Sequence, residues 1–295
     1  MFTLAHFSDP HLGPLPKPRV SELLGKRFFG YLSWVRRRRA IHRPEILTAL
    51  ATDLASQAPD HMAITGDLTN ISLPGEFEQV RTWLEALGPP DRITVVPGNH
   101  DAYVPIAWDR SIGLWADYFA SEGEDRDFPI LRRRGEIALV GLNTAVPSPI
   151  AFASGRLGSG QLDRLEAMLG RLGKDGAFRI VLLHHPPHEG GASWRKGLRD
   201  AAALRSVIAR AGAELVLHGH NHEFASAQLA AGTGLARVFG VPSASASRAG
   251  KKPQSHYHLY GIERADDGWR MTVTVRGLDP HGLKFAETGT ETLKL

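Results

Sequence analysis

The chain has 295 residues, 42% hydrophobic and 22% charged, with 31 Gly and 19 Pro. That balance suits one large globular domain or two small ones and excludes disorder and collagen-like fibre. With no cysteine in the chain, disulfide scaffolds, thiolate metal sites and cysteine nucleophiles are excluded together, and any metal has to be held by His, Asp, Glu or Asn. The net charge of +4 is uneven: from Lys17 to Arg43, nine basic side chains face Glu22 alone, and the remainder is net acidic. Basicity is therefore local, as for one surface meeting an anionic partner.

No apolar run approaches the roughly 18 residues that cross a bilayer, and the first eight residues show neither a basic n-region nor an h-region. The expectation is a soluble, cytoplasmic protein, in peripheral contact with the inner membrane surface if the basic segment binds lipid. Short apolar runs alternate with longer amphipathic stretches, the pattern of strands interleaved with helices. Residues 3–7 form the first expected strand. The basic aromatic segment 14–43 follows; wound as a helix, it gathers Leu24, Phe28, Tyr31, Leu32 and Val35 on one face with Phe29 and Trp34 beside it. Gly25 and Gly30 weaken that helix by about 1 kcal/mol each relative to alanine. Pro44 suits the first turn of a helix whose apolar face is Ile46, Leu47, Leu50 and Leu54. Strands are then expected at 61–65, 92–96, 137–142, 179–184 and 214–218, with helices at 75–87, 106–119, 159–172 and 198–211. Beyond residue 222 the runs 224–229, 235–241, 256–263 and 269–275 read as antiparallel strands between Gly, Asp-Asp-Gly and Pro-Ser turns. A single domain over 1–295 is expected, with 14–43 inserted and 223–295 completing the core.

Five polar clusters fall where strands end, the usual place for the polar site of an α/β sheet. They are Asp9-Pro10-His11, Gly66-Asp67, Gly98-Asn99-His100-Asp101, His184-His185-Pro186-Pro187 and Gly219-His220-Asn221-His222. Because strand side chains alternate with a period of two, Asp9 and His11 can converge on one ion, and His220 and His222 can face one way. Glycines before Asp67, Asn99 and His220 permit sharp turns. Imidazoles with carboxylate oxygens and no sulfur suit Mn, Fe, Zn or Co, with room left for water and substrate.

In this order the clusters resemble the calcineurin-like metallophosphoesterase family, in its cyclic-nucleotide and glycerophosphodiester branch. The resemblance runs from about residue 3 to residue 222 and rests on five ordered motifs. It implies a four-layer α-β-β-α sandwich, two mixed sheets flanked by helices, with two divalent ions (Mn, Fe or Zn) at the strand ends. By the family's pattern Asp9, His11 and His222 hold the first ion, Asn99, His184 and His220 the second, and Asp67 bridges both. His100 lies over the substrate phosphate, stabilising charge or protonating the leaving oxygen, and Asp101 orients its ring. The implied reaction is phosphodiester hydrolysis by in-line attack of a metal-bridging hydroxide, on a lipid-linked substrate or a cyclic nucleotide. The H-x-P pattern makes His184 the ligand, with His185 lining the pocket. Asn70 stands where relatives often carry a second Asp.

Tyr103, His185 and His188 are candidate substrate contacts, His188 being equally readable as structural. His6, His42, His61, His218, His256, His258 and His281 read as solvated or hydrogen-bonded structural groups. In segment 22–39, Lys26, Arg27, Phe28, Phe29, Trp34, Arg36, Arg37, Arg38 and Arg39 are candidates for an anionic membrane surface, since aromatic rings suit headgroup depth and cations meet lipid phosphate. The opposing reading packs the apolar face on the protein's own core and leaves the arginines solvated. Alternatives to a diesterase are a nuclease tracking a phosphate backbone with Arg36 to Arg39, a lipid or nucleotide-sugar pyrophosphatase, and a non-catalytic binding module on the same fold. The last predicts lost ligands, and none is lost.

Overall fold

The computed structural model describes residues 1–122, 127–247, 253–266, 268–279 and 283–295; His281 lies outside them. Among the described residues, twelve strands form two six-stranded sheets. The first holds β1 (Phe2–Phe7), β2 (His61–Ile64) and β3 (Ile93–Val95) in parallel and, on the other side of β1, the antiparallel β10 (His256–Ala265), β11 (Gly268–Leu278) and β12 (Phe285–Lys294). The second runs β4 (Ile130–Arg134), β5 (Ile137–Gly141), β6 (Phe178–Leu182), β7 (Leu215–His218), β9 (Gly234–Gly240), β8 (Ala225–Ala231). Its four inner strands are parallel, and β4 and β8 are antiparallel edges.

Period-two alternation sorts the strand residues into layers. Ile180 and Leu182 of β6 turn toward the facing sheet and meet Leu4, Ala63, Leu217 and Tyr260. Val181, between them, turns outward to Leu165 and Leu169 of α5 (Ser159–Lys174) and Leu204 and Ile208 of α6 (Ala201–Ala211). On the far side, Phe7 and Ile64 pack against Leu47, Leu50 and Leu54 of α3 (Pro44–Gln57) and Phe77, Val80 and Leu84 of α4 (Pro74–Leu87). The result is helix, sheet, sheet, helix. Each fully buried Leu or Phe of these faces contributes about 1.5 to 3 kcal/mol.

The segment after β1 lies across the strand ends as a strap. A 3₁₀ turn (Val20–Leu23) leads into α1 (Lys26–Ser33), a π turn (Trp34–Arg38) and a last short turn, α2 (Arg39–Ile41). In the π turn the Arg39 N–H reaches back to the Trp34 carbonyl; a turn that takes up an extra residue keeps a spacing of four on one face. Lys26, Gly30, Trp34 and Arg38 thereby form an inward stripe. Gly30 is required there, because a Cβ would stand 2.6 Å from Ile71 Cγ2 and 2.8 Å from Tyr103 Oη.

Two departures from the sequence reading have physical causes. Residues 106–119 are not an α-helix but 3₁₀ segments, Trp108–Arg110 and Ile112–Phe119, kinked at Trp115. Ile112, Trp115 and Tyr118 recur every third residue, a spacing that eclipses on a 3₁₀ turn as readily as it stripes an α-helix. The strands β4 and β12 lack an apolar signal because both are edges, and edge strands carry charge; Arg132 of β4 is nevertheless buried, its guanidinium donating to the carbonyls of Ala120, Pro90, Ile93 and Asp117.

Candidate metal centre

The five polar clusters meet at one end of the two sheets. Strand alternation, however, is not what aims them. β1 ends at Phe7 and β7 at His218, and Asp9 (φ 53°), His11 (φ 41°), Asp67 (φ 56°), His220 (φ 75°) and His222 (φ 55°) all take left-handed backbone. For a non-glycine residue this conformation costs about 1 to 2 kcal/mol and persists where the surroundings impose it. Here they do: Asp9 N–H donates to the Gly66 carbonyl (2.9 Å), His11 N–H to the Asp67 carbonyl (3.0 Å), and Ser243 Oγ to the Asp9 carbonyl (2.7 Å). Gly98 allows the GNHD turn to approach, for a Cβ there would stand 2.3 Å from Asp67 Oδ1.

Two groups of ligating atoms result. In the first, Asp9 Oδ1 is 3.2 Å from His222 Nε2, which is 3.3 Å from His11 Nε2, and His11 Nε2 is 3.9 Å from Asp67 Oδ2. In the second, His184 Nε2 is 3.4 Å from that same Asp67 oxygen and 3.1 Å from Asn99 Oδ1, while His220 Nδ1 is 2.8 Å from Asn99 Oδ1 and 3.2 Å from His184 Nε2. Pairs of imidazole nitrogens face each other at 3.2 to 3.3 Å, one pair beside the Asp9 carboxylate and the other beside the Asn99 amide oxygen, an arrangement that fits a metal ion. Metal–ligand bonds of about 2.0 to 2.2 Å place neighbouring ligands at such separations. The far nitrogens are fixed as well: the His11 and His184 Nδ1 atoms lie 2.9 Å from the Thr69 carbonyl and 2.7 Å from the Thr65 carbonyl, which leaves Nε2 of each as the free lone pair.

The charge balance agrees. Burial opposes ionisation of Asp67, yet His184 and His100 hold its carboxyl below the usual range. Burial likewise opposes a charge on His184, but Asp67 prevails and pushes it up to about 9. Positive charge is thus favoured at His184, whereas burial holds His11 and His220 well below the usual imidazole range. Asp9 Oδ1 is buried and, among the described residues, faces the His222 and His11 Nε2 atoms at 3.2 and 4.0 Å.

Around these groups the structure revises several assignments. Asp101 does not orient His100: its carboxylate accepts from the N–H groups of Gly98 and Thr69 (2.8 Å each) and from Thr69 Oγ1 (3.1 Å), and so shapes the turn. The Nδ1–H of His100 is held instead by the Asn70 carbonyl, and Tyr103 stacks on its ring at 5.3 Å. His184, not His185, turns its Nε2 into the cluster. His185 has both nitrogens engaged, with Thr144 Oγ1 (2.8 Å) and the Ala153 carbonyl (3.1 Å), and is fully buried, its ring 4.5 Å from that of His220. His188 stands apart, beside His218.

Of the residues read for an anionic partner, three lie on the strap's inward stripe, Lys26, Trp34 and Arg38, and Arg27 is held beside it. Trp34 is 6% exposed and stacks on His42. Arg27 is bound by the carbonyls of Ile71 and Ser72. Lys26 donates to Ser148 and the Phe152 carbonyl and lies 4.4 Å above the Tyr103 ring; burial draws its amine down to about 8. Arg38 enters the site itself. Its Nη2 is 3.1 and 3.2 Å from the two nitrogens of His11, hence over the ring, and Nη1 is 3.4 Å from His100 Nδ1. Phe28, Phe29, Arg36, Arg37 and Arg39 remain exposed. His42, read as structural, brings a ring nitrogen within 4.8 Å of the ligating atoms of His11 and His222, while its Nδ1 binds Ser245 Oγ (2.9 Å). Nothing in the sequence marks Arg38 or His42 for the site except their place on the segment that leaves Asp9-Pro10-His11.

A family model described as calcineurin-like phosphoesterase matches residues 2–224, and the chain belongs to that family. A curated relative from Synechococcus sp., named a probable cyclic nucleotide phosphodiesterase, is 29% identical over 242 residues, 81% of this chain and 84% of its own. Among solved structures, a dimetal phosphatase from Danio rerio aligns with a TM-score of 0.64 at 13% identity, covering 97% of this chain and 98% of that one. The purple acid phosphatase from yellow lupin seeds aligns at 0.60 and 14%, covering 99% of this chain and 53% of that one. These two share the fold: two mixed sheets flanked by helices.

Proposed function

We propose that the protein is a dinuclear-metal phosphodiesterase, and the observation that carries this reading is the pair of ligand groups meeting at Asp67. Asp9, His11 and His222 with Asp67 would hold one divalent ion, and Asn99, His184 and His220 with Asp67 the other. A bound pair lowers the pKa of a water, orients the phosphate and offsets the charge of in-line attack. The preference for a diester draws on the GNHD, HHPP and GHNH motifs and on the name of the cyanobacterial relative.

The chain's own residues then act as follows. Arg38 donates its guanidinium N–H groups to the phosphate oxygens in the space between His11 and His100. His100 keeps Nδ1–H on the Asn70 carbonyl and presents Nε2 to the leaving oxygen. Burial and Arg38 hold its ring down to about 3, so in the free protein it is neutral. An anionic phosphate seated beside it favours the imidazolium, which makes His100 a proton carrier when substrate is bound. Next to Asp101 opens a cavity of about 470 Å³ lined by Val104, Ile106, Trp108 and Pro147, which suits a substrate with an apolar organic part, such as a lipid-linked diester.

The test is hydrolysis of bis(p-nitrophenyl) phosphate beside p-nitrophenyl phosphate by stripped protein refilled with Mn(II), Zn(II) or Fe(II). Metal-restored cleavage that favours the diester is expected. Preference for the monoester overturns the diesterase assignment, and bound metal without turnover of either ester overturns catalysis.

A further inference from the structure

The strap turns a second face outward, and that face is apolar as well as basic. Leu24 is 73% exposed, Phe28 50% and Phe29 53%, and the two phenyl rings meet edge to face at 5.5 Å. Lys26, two residues from both Leu24 and Phe28, fastens the strap to the loop that carries Ile150 and Phe152 through the Ser148 and Phe152 carbonyls, at 3.0 and 3.2 Å. Phe152 in turn meets Trp194, with ring centroids 5.3 Å apart, and Trp194 is 73% exposed. Three chain segments distant in sequence thus bring exposed apolar side chains to the surroundings of Lys26. Exposed Arg36, Arg37 and Arg39 extend the same helical run, and Arg195 lies 5.2 Å above the Trp194 ring.

We propose that this surface docks the protein on an anionic lipid bilayer. Rings at headgroup depth with cations on lipid phosphate are what an interfacial helix uses, and the charge fits, since Glu22 is the one acidic residue between Lys17 and Arg43. Exposed Leu24 and Ile150 gain from hydrocarbon and have no use on a nucleic-acid backbone. No helix among the described residues is long and apolar enough to cross a membrane, so the contact is with the surface. Because Arg38 and Lys26 lie on the inner side of the same strap, docking brings the mouth of the metal centre to the lipid. The inference concerns a partner and stands apart from the chemistry proposed for the site.

Co-sedimentation with vesicles of phosphatidylcholine, with and without phosphatidylglycerol, tests it on the full chain at low and at physiological ionic strength. The protein should pellet with the phosphatidylglycerol vesicles and not with neutral ones, less so as salt rises. The double variant R36Q/R37Q should weaken binding by about 30-fold, and F28S/F29S should weaken binding to the phosphatidylglycerol vesicles as well. Both variants should keep the thermal unfolding and the soluble-diester turnover of the parent, because these side chains touch neither core nor site. A parent protein that stays in the supernatant with phosphatidylglycerol vesicles overturns the proposal, as do variants that pellet like the parent. Tighter binding to a single-stranded oligonucleotide than to the vesicles overturns it in favour of nucleic acid.

Discussion

Replacing Arg38 by alanine isolates what the strap adds to the metal centre. The guanidinium lies 3.1 Å from His11 and 3.4 Å from His100 and, among the described residues, on no carboxylate, so its donors are available to an incoming phosphate. A charge-assisted hydrogen bond is worth about 1.5 to 3 kcal/mol, which corresponds to a fall in kcat/KM of about 10- to 150-fold. A second signature separates this from a mere loss of packing. Arg38 is, after burial, the main influence that keeps His100 down; removing a positive neighbour raises an imidazole pKa, so the His100 limb of the kcat/KM profile should move to higher pH. Steady-state kinetics on a soluble diester across pH, with metal content by atomic emission, reads both effects. Arg38→Lys should restore part of the rate, since it supplies charge without the planar fork. An Arg38→Ala protein with two metals, the parent's kcat/KM and the parent's pH profile would refute the assignment.

Other residues carry predictions of their own. His100→Ala should lower turnover by about 10²- to 10⁴-fold with metal content unchanged, whereas Asn99→Ala should lower metal content together with turnover. Gly30→Ala ought to favour an isolated helix by about 1 kcal/mol, but with Ile71 and Tyr103 under 3 Å from the new Cβ it should raise KM by displacing the strap; an unchanged KM shows that the strap sits elsewhere. Glu76→Gln leaves buried N–H groups of Asn70, Ile71 and Leu73 short of acceptors, and denaturant unfolding should report a loss of about 1 to 3 kcal/mol. His61, buried against Thr94 Oγ1 and lowered by burial from 6.5 to about 3, is neutral when folded. Its contribution is therefore complete above pH 6.5 and is lost as pH falls toward 3. Unfolding midpoints measured from pH 7 to pH 4 should fall less steeply for His61→Gln, and parallel curves would exclude this source of acid sensitivity.

The layers and the polar clusters were legible because they leave local marks. A strand buried on both faces is an apolar run, and α3 advertises its face by the spacing of Ile46, Leu47, Leu50 and Leu54. The motifs were legible for a related reason, since His, Asp and Asn at strand ends have few structural uses in such number. What was illegible is decided between distant segments. Arg38 and Arg36 are indistinguishable in a run of four arginines, and only the π turn and the seat of Trp34 against Gly13 send one inward and the other to solvent. Asp101 sits beside His100 in sequence, so a ring-orienting contact is the natural reading, but the turn points its carboxylate at Thr69 and gives the ring to Asn70.

The same comparison explains how the ligands converge. Had Asp9 and His11 continued the β1 pleat, they would share a face of the sheet, with their Cβ atoms one full strand repeat apart. Left-handed backbone at both residues, and again at His220 and His222, folds each pair back so that His11 and His222 come to 3.3 Å across the gap between the sheets. Four such residues together cost about 4 to 8 kcal/mol by the usual penalty for a non-glycine residue, comparable to the net stability of a whole domain. That strain makes a specific forecast. His222→Gly removes the penalty along with a proposed ligand, so it should raise the unfolding temperature of metal-free protein while lowering that of metal-loaded protein; Asp9→Gly should gain less in the metal-free state, because it also strips the His220 N–H of its acceptor at 3.0 Å. Glycine variants less stable than the parent in both states would mean that the left-handed turns are relieved by contacts rather than held under load for the ions.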